Sequence, residues 1–238
     1  MDRVMDVPVI ALPTGGAVTT DAFAAARKFM VDGQLRPNRV TDARLLATMG
    51  SVPREAFLPP ALSARAYLDG DVRFGGGRGL MEPRIIARLI QSLAVRPGDR
   101  VLVVGAGTGY GAAVLAGLGA RVVAVEPEPQ LLAIARPALA TLTAPDAVQI
   151  VQGAPADGYA EAGPYDAILV EGAVPALPEA LTSQLAEGGR LAAVLAGDGR
   201  GSRAVLGRRV GTSFGTVDQF DCATLALPGF APTSAFVF

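Results

Sequence analysis

Histidine is missing from the sequence altogether, and with it the commonest general base and the commonest metal ligand. Ser-His-Asp and Cys-His hydrolytic arrangements are excluded by that absence alone. A single cysteine, Cys222, stands among the 238 residues, so no internal disulfide can form and no metal site is expected. Long apolar runs are missing too, since none approaches the ~18–20 residues of a membrane-crossing helix. Neither sign of charge dominates, with 21 basic and 22 acidic residues, so composition gives no reason to expect nucleic acid as a partner. Residues 1–20 lack the basic start of a secretory signal, because Asp2 and Asp6 fall there. These features predict a cytoplasmic protein with a flexible leader over 1–20 and a loop at Pro13 to Gly16.

What is present is apolar material in quantity. Half of the residues are apolar, enough for the core of one α/β domain with an added subdomain. From Asp21 to residue 96 the pattern is helical and loop-rich. It predicts helices over 22–31, after a cap at Thr41-Asp42, over 61–67 and from Pro83, where Ile85, Ile86, Leu89, Ile90 and Leu93 share one face. Phe74 to Gly79 reads as a glycine-rich loop. After the turn at 97–99 the grammar changes. Strands are predicted over 101–104, 121–125, 148–151, 166–170 and 190–195, with helices over 111–118, 129–142 (kinked or divided at Pro137) and 178–185. Residues 204–210 and 213–225 read as an antiparallel hairpin. Arg200, Arg203, Arg208 and Arg209 read as a solvated face, and 227–230 and 236–238 as apolar packing at the sheet edge. The succession predicts a doubly wound, mostly parallel seven-stranded sheet over 97–238, preceded by a helical subdomain over 21–96.

The chemistry concentrates where the first of these strands meets its helix. Gly105-Ala106-Gly107-Thr108-Gly109-Tyr110 places three glycines at that turn, where backbone can approach a ligand closely. The helix beyond offers free N–H groups to a carboxylate or phosphate. Glu126 ends the next strand, where its carboxylate can accept hydrogen bonds from a ribose diol at roughly 1.5–3 kcal/mol each. Dinucleotide dehydrogenases and methyltransferases both use this device. A dinucleotide fingerprint wants its third glycine where Tyr110 stands, so the G-x-G-x-G spacing favours S-adenosylmethionine over a nicotinamide cofactor.

Several further stretches carry a family resemblance. Residues 30–36 (MVDGQLR), 40–44 (VTDAR), 52–57 (VPREAF), the loop ending in Tyr110, 164–168 (PYDAI), 174–178 (VPALP) and 184–190 (QLAEGGR) occur in order and at matching separations. In these the chain resembles the protein-L-isoaspartate O-methyltransferase family from about residue 30 to 195. The resemblance implies a Rossmann-like methyltransferase fold, S-adenosylmethionine as cofactor, and carboxyl methylation of isoaspartyl residues in damaged protein. It assigns Gly105 to Tyr110, Glu126, Pro127, Gly153, Ala154 and Pro155 to the cofactor, and Arg78, Met81 and Glu82 to the acceptor side.

The same resemblance locates departures. The family's active-site serine falls at Met81, its acidic residue before the glycine loop at Val103, and the aspartate that holds the adenine amino group at Ala154. Losing the adenine contact costs about 0.5–1.5 kcal/mol, whereas losing a positioned donor costs on the order of 10²–10³ in rate. Carboxyl methylation needs no strong base, which suits a chain without histidine, and Arg78 could hold an anionic acceptor bidentately. Glu82 beside such an acceptor would repel it. Three readings stay open: a methyltransferase acting on protein, peptide or another small acceptor; a non-catalytic cofactor-binding homologue; and a nicotinamide-dependent oxidoreductase.

Overall fold

The computed structural model describes residues 19–197 and 201–230. The expected leader up to Ala17 and Val18, Arg200 and the closing 236–238 lie outside the described residues. Helix α1 (Thr20–Phe29) opens at Thr19, whose side chain accepts from the Ala22 N–H, and continues into a π-type turn over Met30–Leu35. The predicted helix over 22–31 therefore starts earlier and changes pitch at Met30, where Met30, Val31 and Leu35 turn inward. Helix α2 (Ala43–Ser51) is capped by Asp42, which accepts from the N–H groups of Arg44 and Leu45. The stretch expected as a helix over 61–67 is a 3₁₀ turn, Pro60–Arg65.

The glycine-rich stretch at 74–79 is not a loop. It forms a small antiparallel hairpin of β1 (Val72–Gly75) and β2 (Arg78–Leu80). Gly75, Gly76 and Gly77 all take positive φ there, which explains a glycine run that had read as irregular. Helix α3 (Pro83–Leu93) follows, with Ile85, Ile86, Leu89, Ile90 and Leu93 all buried. Burying each such side chain contributes roughly 1.5–3 kcal/mol, so this face fixes the hairpin's outgoing strand against the core.

The remaining elements build the sheet: β3 (Arg100–Val104), α4 (Tyr110–Gly117), β4 (Arg121–Glu126), α5 (Pro129–Leu142), β5 (Val148–Gln152), β6 (Tyr165–Val174), α6 (Glu179–Thr182), β7 (Leu185–Leu195), β8 (Arg203–Val210) and β9 (Ser213–Asp221). The seven strands run in the order β5-β4-β3-β6-β7-β8-β9, the first five parallel and the last two antiparallel. Strand residues alternate between two apolar layers. Val101, Val103, Val122, Ala124, Ala167 and Leu169 join one shared with Met30, Leu45, Phe57, Ile86 and Tyr110. Leu102, Val104, Val123, Val125, Ile168 and Val170 join the other, with Tyr165, Leu181 and Leu227.

Two predicted boundaries move. Helix α6 is four residues long, because β7 begins at Leu185 and absorbs the Gly188-Gly189 turn as a bulge opposite β6. A side chain at Gly189 would meet the Ala186 carbonyl oxygen at 2.8 Å, so only glycine passes there. Helix α5 runs through Pro137 undivided. Segment 227–230 packs at the carboxyl ends of the central strands instead of the sheet edge: Leu227 donates its N–H to the Ala173 carbonyl, 2.8 Å away, and is buried.

Candidate functional site

Strand order reverses around β3, whose neighbours β4 and β6 come from opposite directions in the chain, and ligands of such sheets bind at the carboxyl ends beside that point. Register fixes what stands there. Val104 pairs with Val125 on one side and with Val170 on the other. One residue further along the three strands come Gly105, Glu126 and Glu171. Two carboxylates thus flank the first glycine of the loop.

The loop itself has the predicted backbone. Gly105, Gly107 and Gly109 take φ of 67°, 56° and 92°, a region that other residues enter at a cost. Ala106 donates its N–H to the Val125 carbonyl at 3.0 Å, and Gly109 to the Ala106 carbonyl at 2.8 Å. Tyr110 is fully buried at the start of α4, its ring edge-on to Phe57 and beneath the Arg54 guanidinium, 4.7 Å from the ring centre. Its packing role explains why the third glycine of a dinucleotide fingerprint is dispensable here. Thr108 is buried and its hydroxyl has no protein partner.

Glu126 is fully buried at the end of β4. One carboxylate oxygen accepts from the Gly107 N–H at 2.7 Å and the other from the Glu128 N–H at 3.1 Å. The same oxygen that faces Gly107 is held by the guanidinium of Arg78, which also donates to the Gly105 carbonyl at 3.2 Å. Burial raises the Glu126 carboxyl above its ordinary range, and Arg78 and the two amides partly offset this. Arg78, expected on the acceptor side, is thus in contact with the glycine loop and with Glu126. A leucine completes the cover, because Leu227 lies against Gly105 so closely that a side chain there would meet its Cδ1 at 2.5 Å.

Met81 is buried, and its carbonyl accepts from the Arg54 guanidinium at 2.5 Å. Glu82 is nearly buried, with its backbone N–H donated to Asp71 at 2.8 Å and its carboxylate paired with Arg84. Burial raises its carboxyl too, against the pull of Arg84. Gly153 donates to the Glu126 carbonyl at 3.4 Å, which brings Gly153, Ala154 and the buried Pro155 beside the end of β4, while the Pro127 carbonyl accepts from Gln152.

Sequence reasoning missed Glu171. The available signal was an acid closing an apolar strand, the same one that marked Glu126. Its Oε1 is buried without a hydrogen-bond partner and rests on Gly111, where a side chain would meet it at 2.1 Å. Burial pushes its carboxyl up to about 8, with Glu126 acting in the same direction and Arg78 and Arg54 against it. Glu171 lines a cavity of about 20 Å³ with Arg78, Gly79, Met81 and Thr224. A larger cleft of about 270 Å³ opens between the hairpin and α5, lined by Phe74, Gly76, Arg78, Glu128 and Leu131. Arg78 forms a wall of both.

The loop and carboxylate fit an adenosyl cofactor. Gly107 leaves room for close backbone approach, the Thr108 hydroxyl has no partner among the described residues, and Glu126 has the chemistry for a ribose diol. Side-chain ends lie against this cradle: Arg78 on Glu126, Leu227 on Gly105 and Leu139 on Gly109. Among the described residues no group of three or more His, Cys, Asp or Glu side chains is placed to hold a metal, and no helix is long and apolar enough to cross a membrane.

Comparison with known proteins agrees with this geometry. Residues 26–208 match the sequence family described as Protein-L-isoaspartate(D-aspartate) O-methyltransferase (PCMT). The chain is 50% identical over 167 residues to a protein-L-isoaspartate O-methyltransferase of Methylorubrum populi, covering 70% of this chain and 78% of that one. It is 41% identical over 211 residues to protein-L-isoaspartate O-methyltransferase 1 of Rhodopseudomonas palustris, covering 89% of this chain and 84% of the relative. A solved protein-L-isoaspartate O-methyltransferase superposes with a TM-score of 0.74 at 27% identity, over 85% of this chain and 66% of the solved one. The fold is also shared, with a TM-score of 0.70 at 23% identity, by a Plasmodium falciparum protein solved with S-adenosyl-L-homocysteine; that match covers 85% of this chain and 98% of the other.

Proposed function

The chain belongs to the protein-L-isoaspartate O-methyltransferase family, and from that premise we infer that it transfers a methyl group from S-adenosylmethionine to a carboxylate of a protein or peptide, an isoaspartyl side chain first of all. The observation that carries this reading is the Gly105–Gly109 loop with Glu126 buried beside it. We propose that residues 97–238 hold the cofactor and that residues 21–96 contribute Arg78, Met81 and Glu82 to the acceptor side.

When bound, S-adenosylmethionine supplies an electrophilic methyl group, which the acceptor carboxylate oxygen takes as the carbon–sulfur bond breaks and its electron pair stays on sulfur. Glu126 would accept the ribose hydroxyls, its carboxylate oriented by the Gly107 and Glu128 N–H groups. Thr108 and the amides at the start of α4 would hold the cofactor's carboxylate. Gly153, Ala154 and Pro155 would border the adenine, where Ala154 offers no side-chain acceptor to its amino group. Arg78, which pairs with Glu126 in the cofactor-free protein, would offer its guanidinium to the acceptor carboxylate. The acceptor is already anionic at neutral pH, so the chain's task is alignment, and the lack of histidine is no handicap.

The test is incubation with an isoaspartyl peptide and S-adenosylmethionine, followed by detection of the methyl ester and of S-adenosylhomocysteine. Both products are expected, and an aspartyl peptide of the same sequence gives neither. A second reading, cofactor binding without turnover, is favoured by Met81, which brings no hydroxyl to the acceptor cavity. It predicts tight binding of the cofactor and neither product.

A further inference from the structure

The cavity beside Met81 is lined by one acid, Glu171, with an oxygen that has no hydrogen-bond partner among the described residues. Three polar side chains line it: Arg78, Glu171 and Thr224. Thr224 donates its hydroxyl to Asp71 at 3.1 Å, so its proton is committed. Arg78 gives a terminal nitrogen to Glu126 and Gly105, while its buried Nε–H has no partner. Glu171 also has a buried oxygen, Oε1, without a partner. Met81 completes the wall with a thioether, which donates nothing.

A carboxylate entering this space needs donors. An ionised Glu171 would repel it, and burying two adjacent anions is costly. A neutral Glu171 would instead supply an O–H. The charged groups around Glu171 are Arg78 on the hairpin, Arg54 on the segment after α2 and Glu126 on β4, with the Tyr110 hydroxyl on α4. Burial dominates their balance and pushes the Glu171 carboxyl up to about 8. The incoming anion pushes the same way.

We propose that Glu171, in its protonated form, is the hydrogen-bond donor that holds the acceptor carboxylate, acting together with Arg78 in the cavity where Met81 brings none. It touches the substrate and no proton is transferred. The Glu171 proton stays on its carboxyl while the other acceptor oxygen takes the methyl group. The inference rests on the carboxyl-methylation reading above.

Two variants and two readouts test it. Glu171→Gln keeps a neutral donor of the same shape, and Glu171→Leu removes it. In the cofactor-free protein, isotope-edited infrared difference spectra of wild type against Glu171→Gln should show a protonated carboxyl at pH 7 that titrates away near pH 8. In turnover, followed by S-adenosylhomocysteine release from an isoaspartyl peptide, the wild-type kcat/KM should fall about tenfold per pH unit above that value. Glu171→Gln should stay within about threefold of wild type at pH 7 and lose the alkaline limb, whereas Glu171→Leu should lose on the order of 10²-fold. An ionised Glu171 at pH 7, a wild-type rate that rises through pH 8, or a fully active Glu171→Leu variant would overturn the proposal. Absence of product from wild type while the protonated carboxyl is seen would defeat the methylation reading, and with it the donor role, but not the protonation of Glu171.

Discussion

Glu126 and Glu171 occupy matching positions on the strands that flank β3, each one residue past the register partner of Val104. Their surroundings differ. Glu126 accepts from two backbone N–H groups and from Arg78, while Glu171 has a buried oxygen with no donor at all. One sheet therefore presents two carboxyls in unlike settings beside the glycine loop, with Arg78 paired to Glu126 and lining one cavity with Glu171.

Glu126→Gln keeps the shape and removes the charge. Charged hydrogen bonds to a ribose are worth roughly 1.5–3 kcal/mol, so cofactor affinity should fall about 10- to 100-fold. Calorimetric titration with S-adenosylhomocysteine checks this. Unchanged affinity would separate Glu126 from ribose recognition.

Arg78→Gln should split two properties. Freed of its guanidinium partner, Glu126 is available to the cofactor, so affinity for S-adenosylhomocysteine should rise. The Arg78 side chain is only 11% exposed and its partner is buried, so the cofactor-free protein should lose roughly 1–3 kcal/mol in urea unfolding. KM for the peptide should rise because an acceptor contact is gone. Weaker cofactor binding would show that Arg78 supports the cradle instead of covering it.

Leu227→Ala removes a buried side chain that lies on Gly105. A loss of about 2–4 kcal/mol is expected from the cavity left behind. Saturating S-adenosylhomocysteine should recover more of that stability in the variant than in wild type, since the ligand fills space the leucine held. Thermal unfolding with and without ligand reads both effects, and equal ligand shifts in the two proteins would place Leu227 outside the cofactor's path.

Stability should also depend on pH in a defined direction. The folded-state value of Glu171, about 8, lies above the ordinary 4.5, so between those limits the folded protein binds more protons than the unfolded chain. The contribution is fully present below about pH 4.5 and lost as pH rises through 8, a change on the order of a few kcal/mol. Glu82 and Glu126, both raised chiefly by burial, act in the same direction. The urea midpoint should therefore decline from pH 5 to pH 8, and less steeply in Glu171→Gln. A midpoint that climbs across this interval would contradict the assignment.

Much of the architecture was legible because its signals are local. Apolar runs bounded by glycine and charge gave the parallel strands, and the α3 face followed from the spacing of Ile85, Ile86, Leu89, Ile90 and Leu93. Glycine-rich turns were harder. Phe74 to Gly79 lacks apolar alternation, so nothing local announced a hairpin, and Gly188-Gly189 proved a bulge within a longer strand. The geometry of the candidate site was legible where one strand end was enough, as at Gly105 and Glu126. Three contacts were not: Arg78 on Glu126 joins residues 48 apart, Leu227 on Gly105 spans most of the sheet, and Arg54 reaches the Met81 carbonyl 27 positions away. Such pairings are products of topology, and no periodicity encodes them.

The most direct measurement is titration calorimetry of the wild-type protein with S-adenosylmethionine and S-adenosylhomocysteine, with NAD as the control. Saturable binding of both adenosyl ligands, weakened in Glu126→Gln and with no heat from NAD, is the predicted result. Absence of heat from the adenosyl ligands, or equal binding of NAD, would contradict the cradle assigned to Gly105, Gly107, Gly109 and Glu126.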